Sequence, residues 1–252
     1  MKYTAVVFGL SCLLFTVNTQ ADTLLGVYAG VDGWQASTDG SFSDTSQLQQ
    51  FSFKDKTQAA YFVALEHPIP LLPNIKIQHN KLQSAGATVL ETSFSFAGED
   101  FNAGTTLGNQ LDLSNTDYVL YYEMFDNDLV SFDLGVNAKY IKGNISVSDA
   151  ANNLLQASQD ASTLIPMLYS AAAVGLPLTG LDVFAQGSYV SYQGSQIYDV
   201  QAGVAYALLD NLAINMRLKL GYRVVNLRLD DIDNLYTNVD FKGLFAGVEL
   251  HF

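Results

Sequence analysis

Much of this chain is written in period two. Val130, Phe132, Leu134, Val136, Ala138 and Tyr140 alternate with Ser131, Asp133, Gly135, Asn137 and Lys139. Tyr198, Val200, Ala202, Val204, Tyr206 and Leu208 alternate with Asp199, Gln201, Gly203, Ala205 and Ala207. Leu212 to Val224 repeats the pattern against Asn215, Arg217, Lys219, Gly221 and Arg223, and Leu244, Ala246, Val248, Leu250 and Phe252 repeat it against Phe245, Gly247, Glu249 and His251. Successive side chains of a strand point to opposite faces, so this is the pattern of strands whose two faces meet different surroundings. Followed along the chain, it predicts ten strands, at 23–36, 57–67, 75–84, 114–126, 129–142, 163–176, 181–192, 197–209, 212–229 and 237–252. Most have nine or more residues, the length a tilted strand needs to cross a bilayer. No later stretch approaches eighteen consecutive apolar residues, so no helical span is predicted.

The connections alternate in length. Asp126-Asn127-Asp128, Leu176 to Gly180 and Asp210-Asn211 are tight turns, and His67 to Asn74, with three prolines, is a stiff one. The links 37–56, 85–113, 143–162 and 230–236 are longer and polar. Short turns at one end and long loops at the other define an all-β, antiparallel up-and-down transmembrane barrel of ten strands, or of eight or twelve if 75–97 or a loop pairs differently. A small soluble barrel alternates too, with its apolar face inward. Three features favour the membrane orientation: a polar set rich in Gly and Ala as well as charge, aromatics near stripe ends (Tyr140, Tyr198, Tyr206, Tyr222), and a chain ending on Phe252.

With the greasy faces outward, the lumen receives Glu66, Glu123, Asp133, Asp182 and Glu249, and Lys76, Lys139, Arg217, Lys219 and Arg223. Five acids balance five bases, as a filled interior requires, because buried charges are costly unless paired. A last hairpin turning near Asp233 sets Arg217 opposite Glu249, the first pair expected. Static salt bridges plugging the barrel are the leading reading of this set, ahead of a charge-lined constriction. Residues 149–163 read as a short surface helix with Leu154 and Leu155 packing down, and Pro166 reads as a bulge or a late strand start.

The first residues differ from the rest. Lys2, the apolar run Tyr3–Val17 and the small or polar Asn18-Thr19-Gln20-Ala21 have the parts of a secretory signal, so 1–21 is expected to be removed before Asp22 and 22–252 to form the barrel. Cys12, the chain's single cysteine, would go with it. The whole chain has 12 Lys+Arg and 25 Asp+Glu. Removing the signal takes only Lys2, leaving 11 bases against 25 acids, a net −14. That excludes a nucleic-acid binder working through a basic surface, and 49% apolar composition excludes a disordered chain. The acid excess falls mainly in the predicted loops.

Leu250-His251-Phe252, closing an alternating strand, resembles the signal read by the outer-membrane insertion machinery, with Leu250 and Phe252 as its apolar positions. Together with the leader and the strand series, the chain resembles a small bacterial outer-membrane β-barrel. Asp22 to Gly30 and Gly243 to Glu249 are similar, more narrowly, to an uncharacterised family of barrels from marine gammaproteobacteria. The resemblance implies an integral protein of the Gram-negative outer membrane, with lipid and the insertion machinery as partners. It implies no cofactor and no catalytic residue.

Other motifs carry little. His67, His79 and His251 are scattered, whereas a metal site needs ligands that converge. Gly26/Gly30 and Gly243/Gly247 precede no helix, which rules out a phosphate loop. Asp230, Asp231 and Asp233, with Asp240, form a weak Ca²⁺ candidate and read better as a solvated acidic loop. The expected function is a structural or surface-display role for a monomeric, largely filled barrel. A narrow channel preferring cations is the alternative, and an outer-membrane enzyme is a more distant one.

Overall fold

The computed structural model describes residues 25–127, 129–152, 154–211, 214–232 and 234–252; the expected leader lies outside them. Fifteen strands occur: β1 (Gly26–Ser43), β2 (Gln49–Ser52), β3 (Lys56–Glu66), β4 (Asn74–Asn80), β5 (Gln83–Val89), β6 (Phe94–Phe96), β7 (Glu99–Phe101), β8 (Thr106–Asp112), β9 (Asn115–Asp126), β10 (Val130–Asp149), β11 (Gln156–Leu176), β12 (Leu181–Tyr192), β13 (Ser195–Asp210), β14 (Asn215–Ile232) and β15 (Leu235–His251). Ten of them close a ring, in the order β1-β3-β4-β9-β10-β11-β12-β13-β14-β15. The seam is β1 against β15, paired from Tyr28↔His251 to Ser43↔Tyr236. Phe252 adds mutual backbone hydrogen bonds with Val27, at 2.9 and 3.2 Å. Closure leaves no sheet edge in hydrocarbon, where an unpaired amide has no water to turn to.

The other strands belong to the loop end. β5 and β8 prolong β4 and β9 past a break at 81–82 and 113–114, and β8 also pairs the upper part of β10. β2 folds back on β1, and β6–β7 form a small hairpin. The links expected at 37–56, 85–113 and 143–162 are therefore largely strand.

The reason is a change of phase within single strands. On β10 the outward residues run Phe132, Leu134, Val136, Ala138, Tyr140 and then Lys142, Asn144, Ser146, Ser148, while the inward ones run Asp133, Asn137, Lys139 and then Ile141, Ile145, Val147. On β14 the outward Leu218, Leu220, Tyr222 and Val224 give way to Asn226, Arg228 and Asp230, and the inward Arg217, Lys219 and Arg223 to Val225, Leu227 and Leu229. β15 does the same in reverse: Leu235, Val239, Phe241 and Phe245 point in, and Asn238, Asp240 and Lys242 point out. The lower half of the barrel is greasy outside and polar within. The upper half stands clear of the apolar band, with a wall built like that of a soluble barrel.

Two local expectations are corrected. Among the described residues of 149–163 there is no helix: β10 runs to Asp149 and β11 starts at Gln156. Leu155 packs against the core, but Leu154 is 93% exposed. The segment alternates with period two and is too short between its strands for a helical turn with a buried stripe. Pro166 makes no bulge and pairs in register with Ala138. The Gly175 N–H donates to the Leu129 carbonyl at 2.8 Å, so odd residues of β11 bond to β10 and the Pro166 nitrogen faces β12. The last pair with β12 is Leu168↔Tyr189, below Pro166, so the missing donor costs nothing.

Candidate functional site

The interior has three tiers. The top tier is apolar. Trp34, Phe241, Ile141, Val225 and Leu227 are buried across the bore, and the β6–β7 hairpin adds Phe94, Phe96 and Phe101. Phe42 stacks on Phe51 with centroids 4.0 Å apart, and Phe96 meets Phe42 edge-on at 5.4 Å. These contacts fill the loop end as a soluble core is filled.

Below lies a belt of paired charge. Lys139, with no exposed surface, donates to Asn115 at 2.9 Å and forms ion pairs with Asp117 at 2.9 Å and Asp199 at 3.2 Å. Arg223 grips Asp199 through Nε at 2.9 Å and Nη2 at 2.8 Å, and Nη2 also donates to Asn80 Oδ1 at 2.8 Å. Asp117 accepts from Asn80 and from Asn137, each at 2.7 Å. The Arg223 guanidinium lies 5.1 Å from the Trp34 ring, joining belt to apolar tier. A void of about 30 Å³ here has room for a water or two.

The bottom tier is a cup of about 400 Å³. Turn-end residues Asn127, Leu129 and Gly175 line it, so it opens at the end where β1 starts and β15 stops. Small inward residues on β11 and β13, among them Ala171, Ala173 and Ala205, make the room. Phe62 lies against Gly30, where any side chain would collide with its ring. Tyr121 donates to Glu66 at 2.7 Å, Lys219 pairs Asp32 at 3.3 Å and Glu249 at 3.5 Å, and Arg217 reaches Asp182 at 3.9 Å.

All ten charged residues singled out from the sequence face the interior. Glu66, Lys76, Glu123, Asp133, Asp182, Arg217, Lys219 and Glu249 line the cup, and Lys139 and Arg223 sit in the belt. Arg217 and Glu249 are cross-strand partners as expected, but each pairs elsewhere. Lys219 is the more deeply buried cation, and a buried charge has the greater need of a partner. The five-to-five balance does not hold, because Asp32, Asp117 and Asp199 are also inward and buried. These three hold the best-buried cations, and strand parity would have found them: Asp199 alternates with Tyr198 and Val200, and Asp117 with Tyr118.

The remaining candidates are dispersed. His67 Nδ1 accepts from the Ile69 N–H at 3.2 Å within its turn, His79 lies 3.1 Å from the Thr116 hydroxyl, and His251 stacks on Tyr28 at 4.0 Å. Asp240 accepts from Asn226 on the outer face, and Asp230 and Asp231 end β14; Asp233 lies outside the described residues. Among the described residues, no three His, Cys, Asp or Glu side chains group as metal ligands would. Leu250 faces outward on β15, and half-exposed Phe252 ends the seam.

A closed ten-stranded antiparallel barrel with a greasy outer band and a charged lumen has the architecture of the bacterial outer-membrane barrels. The outer membrane protease OmpT from Escherichia coli is similar with a TM-score of 0.52 and 11% identity, over 93% of this chain and 99% of that one. The transport unit of the Escherichia coli autotransporter AIDA-I matches at 0.40 and 9%, over 95% and 93%. The Pseudomonas putida toluene transporter TodX matches at 0.29 and 8%, over 92% and 90%. No protein-family model matches the chain, and no curated protein matches it in sequence.

Proposed function

We propose that this protein is an integral barrel of the Gram-negative outer membrane that does not conduct. It would display its loop end to the exterior and serve a structural or surface-display role. The apolar tier carries this reading: beyond the Lys139–Arg223 belt, Phe241, Ile141, Val225 and Leu227 are buried across the bore, with single buried polar side chains such as Thr38, Asn109 and Thr237 among them. The start of β1, the end of β15 and the short turns lie at one end, which in this architecture is the periplasmic end. The leader 1–21 would direct export, and Leu250 and Phe252 would present the closing strand to the insertion machinery. The narrower kinship with marine gammaproteobacterial barrels is supported by the Gly-rich stretches of β1 and β15.

Planar-bilayer recording of the purified, folded barrel tests the central claim. No resolvable openings are expected, and discrete cation-selective openings would replace this reading with the channel. An epitope inserted between Ala151 and Asn152 is expected to be reached by antibody on intact cells, and one at Leu178 only after permeabilisation. The reverse labelling would invert the orientation.

A further inference from the structure

The cup holds charges that its own walls leave unmatched. Lys76 is 7% exposed, and its ammonium lies 4.5 Å from the Phe62 ring centroid with Gln186 Oε1 at 3.4 Å. Among the described residues, no carboxylate comes within 4.0 Å of it. Lys219 shares the same ring at 5.0 Å but is neutralised by Asp32 and Glu249. Nearer the mouth the imbalance reverses. Glu66, Glu123 and Asp133 line the cavity with no Lys or Arg within 4.0 Å among the described residues. Glu123 and Asp133 are direct cross-strand partners, an arrangement of like charges that costs energy when nothing lies between them.

The two imbalances are a fixed distance apart. Lys76 is paired with Ala64, and Glu66 stands two residues further toward the mouth on the same inward face. At roughly 3.3 Å per residue the separation along the strand is about 7 Å. The rings of Tyr121 and Tyr169, 5.9 Å apart, line the same cup. One molecule bearing both charges would satisfy both ends.

We propose that the cup is a binding site for a small zwitterion, an ammonium-bearing chain that ends in a carboxylate or a phosphate. The anionic group sits at Lys76 beside Phe62 and Gln186, and the ammonium lies among Glu66, Glu123 and Asp133. The site takes its ligand from the turn end and does not depend on whether the barrel conducts.

Calorimetric titration of the folded, full-length mature barrel in detergent tests this. The probes are ω-aminoalkanoates of increasing length, with alkylammonium and alkanoate ions of matched length as controls and glycerophosphoethanolamine as a headgroup probe. Saturable binding with an optimum near six carbons is expected, about tenfold or more tighter than either singly charged control. Preference for glycerophosphoethanolamine over every aminoalkanoate would assign the ligand to lipid headgroups within the same class. Lys76→Met should reduce the zwitterion to the level of the alkylammonium, and Glu66→Gln or Asp133→Asn to that of the alkanoate. The heat-modifiable gel mobility of folded barrels reports whether each variant is intact, and the two mouth variants carry the test if Lys76→Met does not fold. Equal binding of the controls, absence of saturation at tens of millimolar, or unchanged affinity in the mouth variants would overturn the proposal.

Discussion

Lys139→Met tests whether the belt is held by charge pairing. Methionine keeps the length of the side chain and removes its charge, so the volume at the centre of the bore changes little. Three charge-assisted contacts vanish, to Asn115 at 2.9 Å, Asp117 at 2.9 Å and Asp199 at 3.2 Å. At about 1.5–3 kcal/mol each, they set a ceiling of roughly 5–9 kcal/mol. The carboxylates are not stranded, however: Asp199 keeps both Arg223 bonds, and Asp117 keeps Asn80 and Asn137. The expected cost falls to the range for breaking one buried pair, about 3–5 kcal/mol, a factor of roughly 10²–10⁴ in the folding equilibrium. Guanidinium unfolding in detergent measures it, with Trp34 fluorescence as the probe, since that ring stacks on Arg223 at 5.1 Å. Adding Asp117→Asn to Lys139→Met should recover at least about 1 kcal/mol relative to the sum of the single variants, because the carboxylate left behind is then neutral. A single-variant cost below about 1 kcal/mol, or strict additivity in the double, would refute a belt held by ion pairing.

Three further outcomes follow. Val136→Arg places a charge on the outer face within the greasy band and should cost about 2–4 kcal/mol in the same unfolding assay, whereas Ser146→Arg, on the same face of the same strand but above the band, should stay within about 0.5 kcal/mol. Phe96→Ala should cost the loop end about 3–5 kcal/mol, read as accelerated protease cleavage within 91–104 while the gel mobility of the barrel is unchanged. Intact-mass measurement of protein recovered from outer membranes should give a chain beginning at Asp22, and a chain retaining residues 1–21 would remove the export signal.

Most of the ring was legible because its lower half obeys one rule. Where hydrocarbon lies outside and charge inside, period two repeats without interruption, and β12, β13 and β14 emerged within a few residues of their ends. The upper half was misread for a physical reason. At Tyr140/Ile141 and Val224/Val225 the apolar residues pass from even to odd positions with no residue inserted, so polar outward residues looked like loop. Asp32, Asp117 and Asp199 keep the same inward parity as the ten charged positions, and counting them moves the expected charge balance by three carboxylates. The partner of Arg217 was beyond reach on other grounds: register sets which backbones lie opposite, whereas side-chain length and burial decide which charges meet.

The apolar tier also divides the molecule's freedom to vary. The loop-end hairpins are separated from the cup by the buried side chains of Trp34, Phe241 and Val225. The cup beneath is supported from β3, β9, β10 and β14 within the bilayer. One end can change in sequence without altering the side chains that line the other.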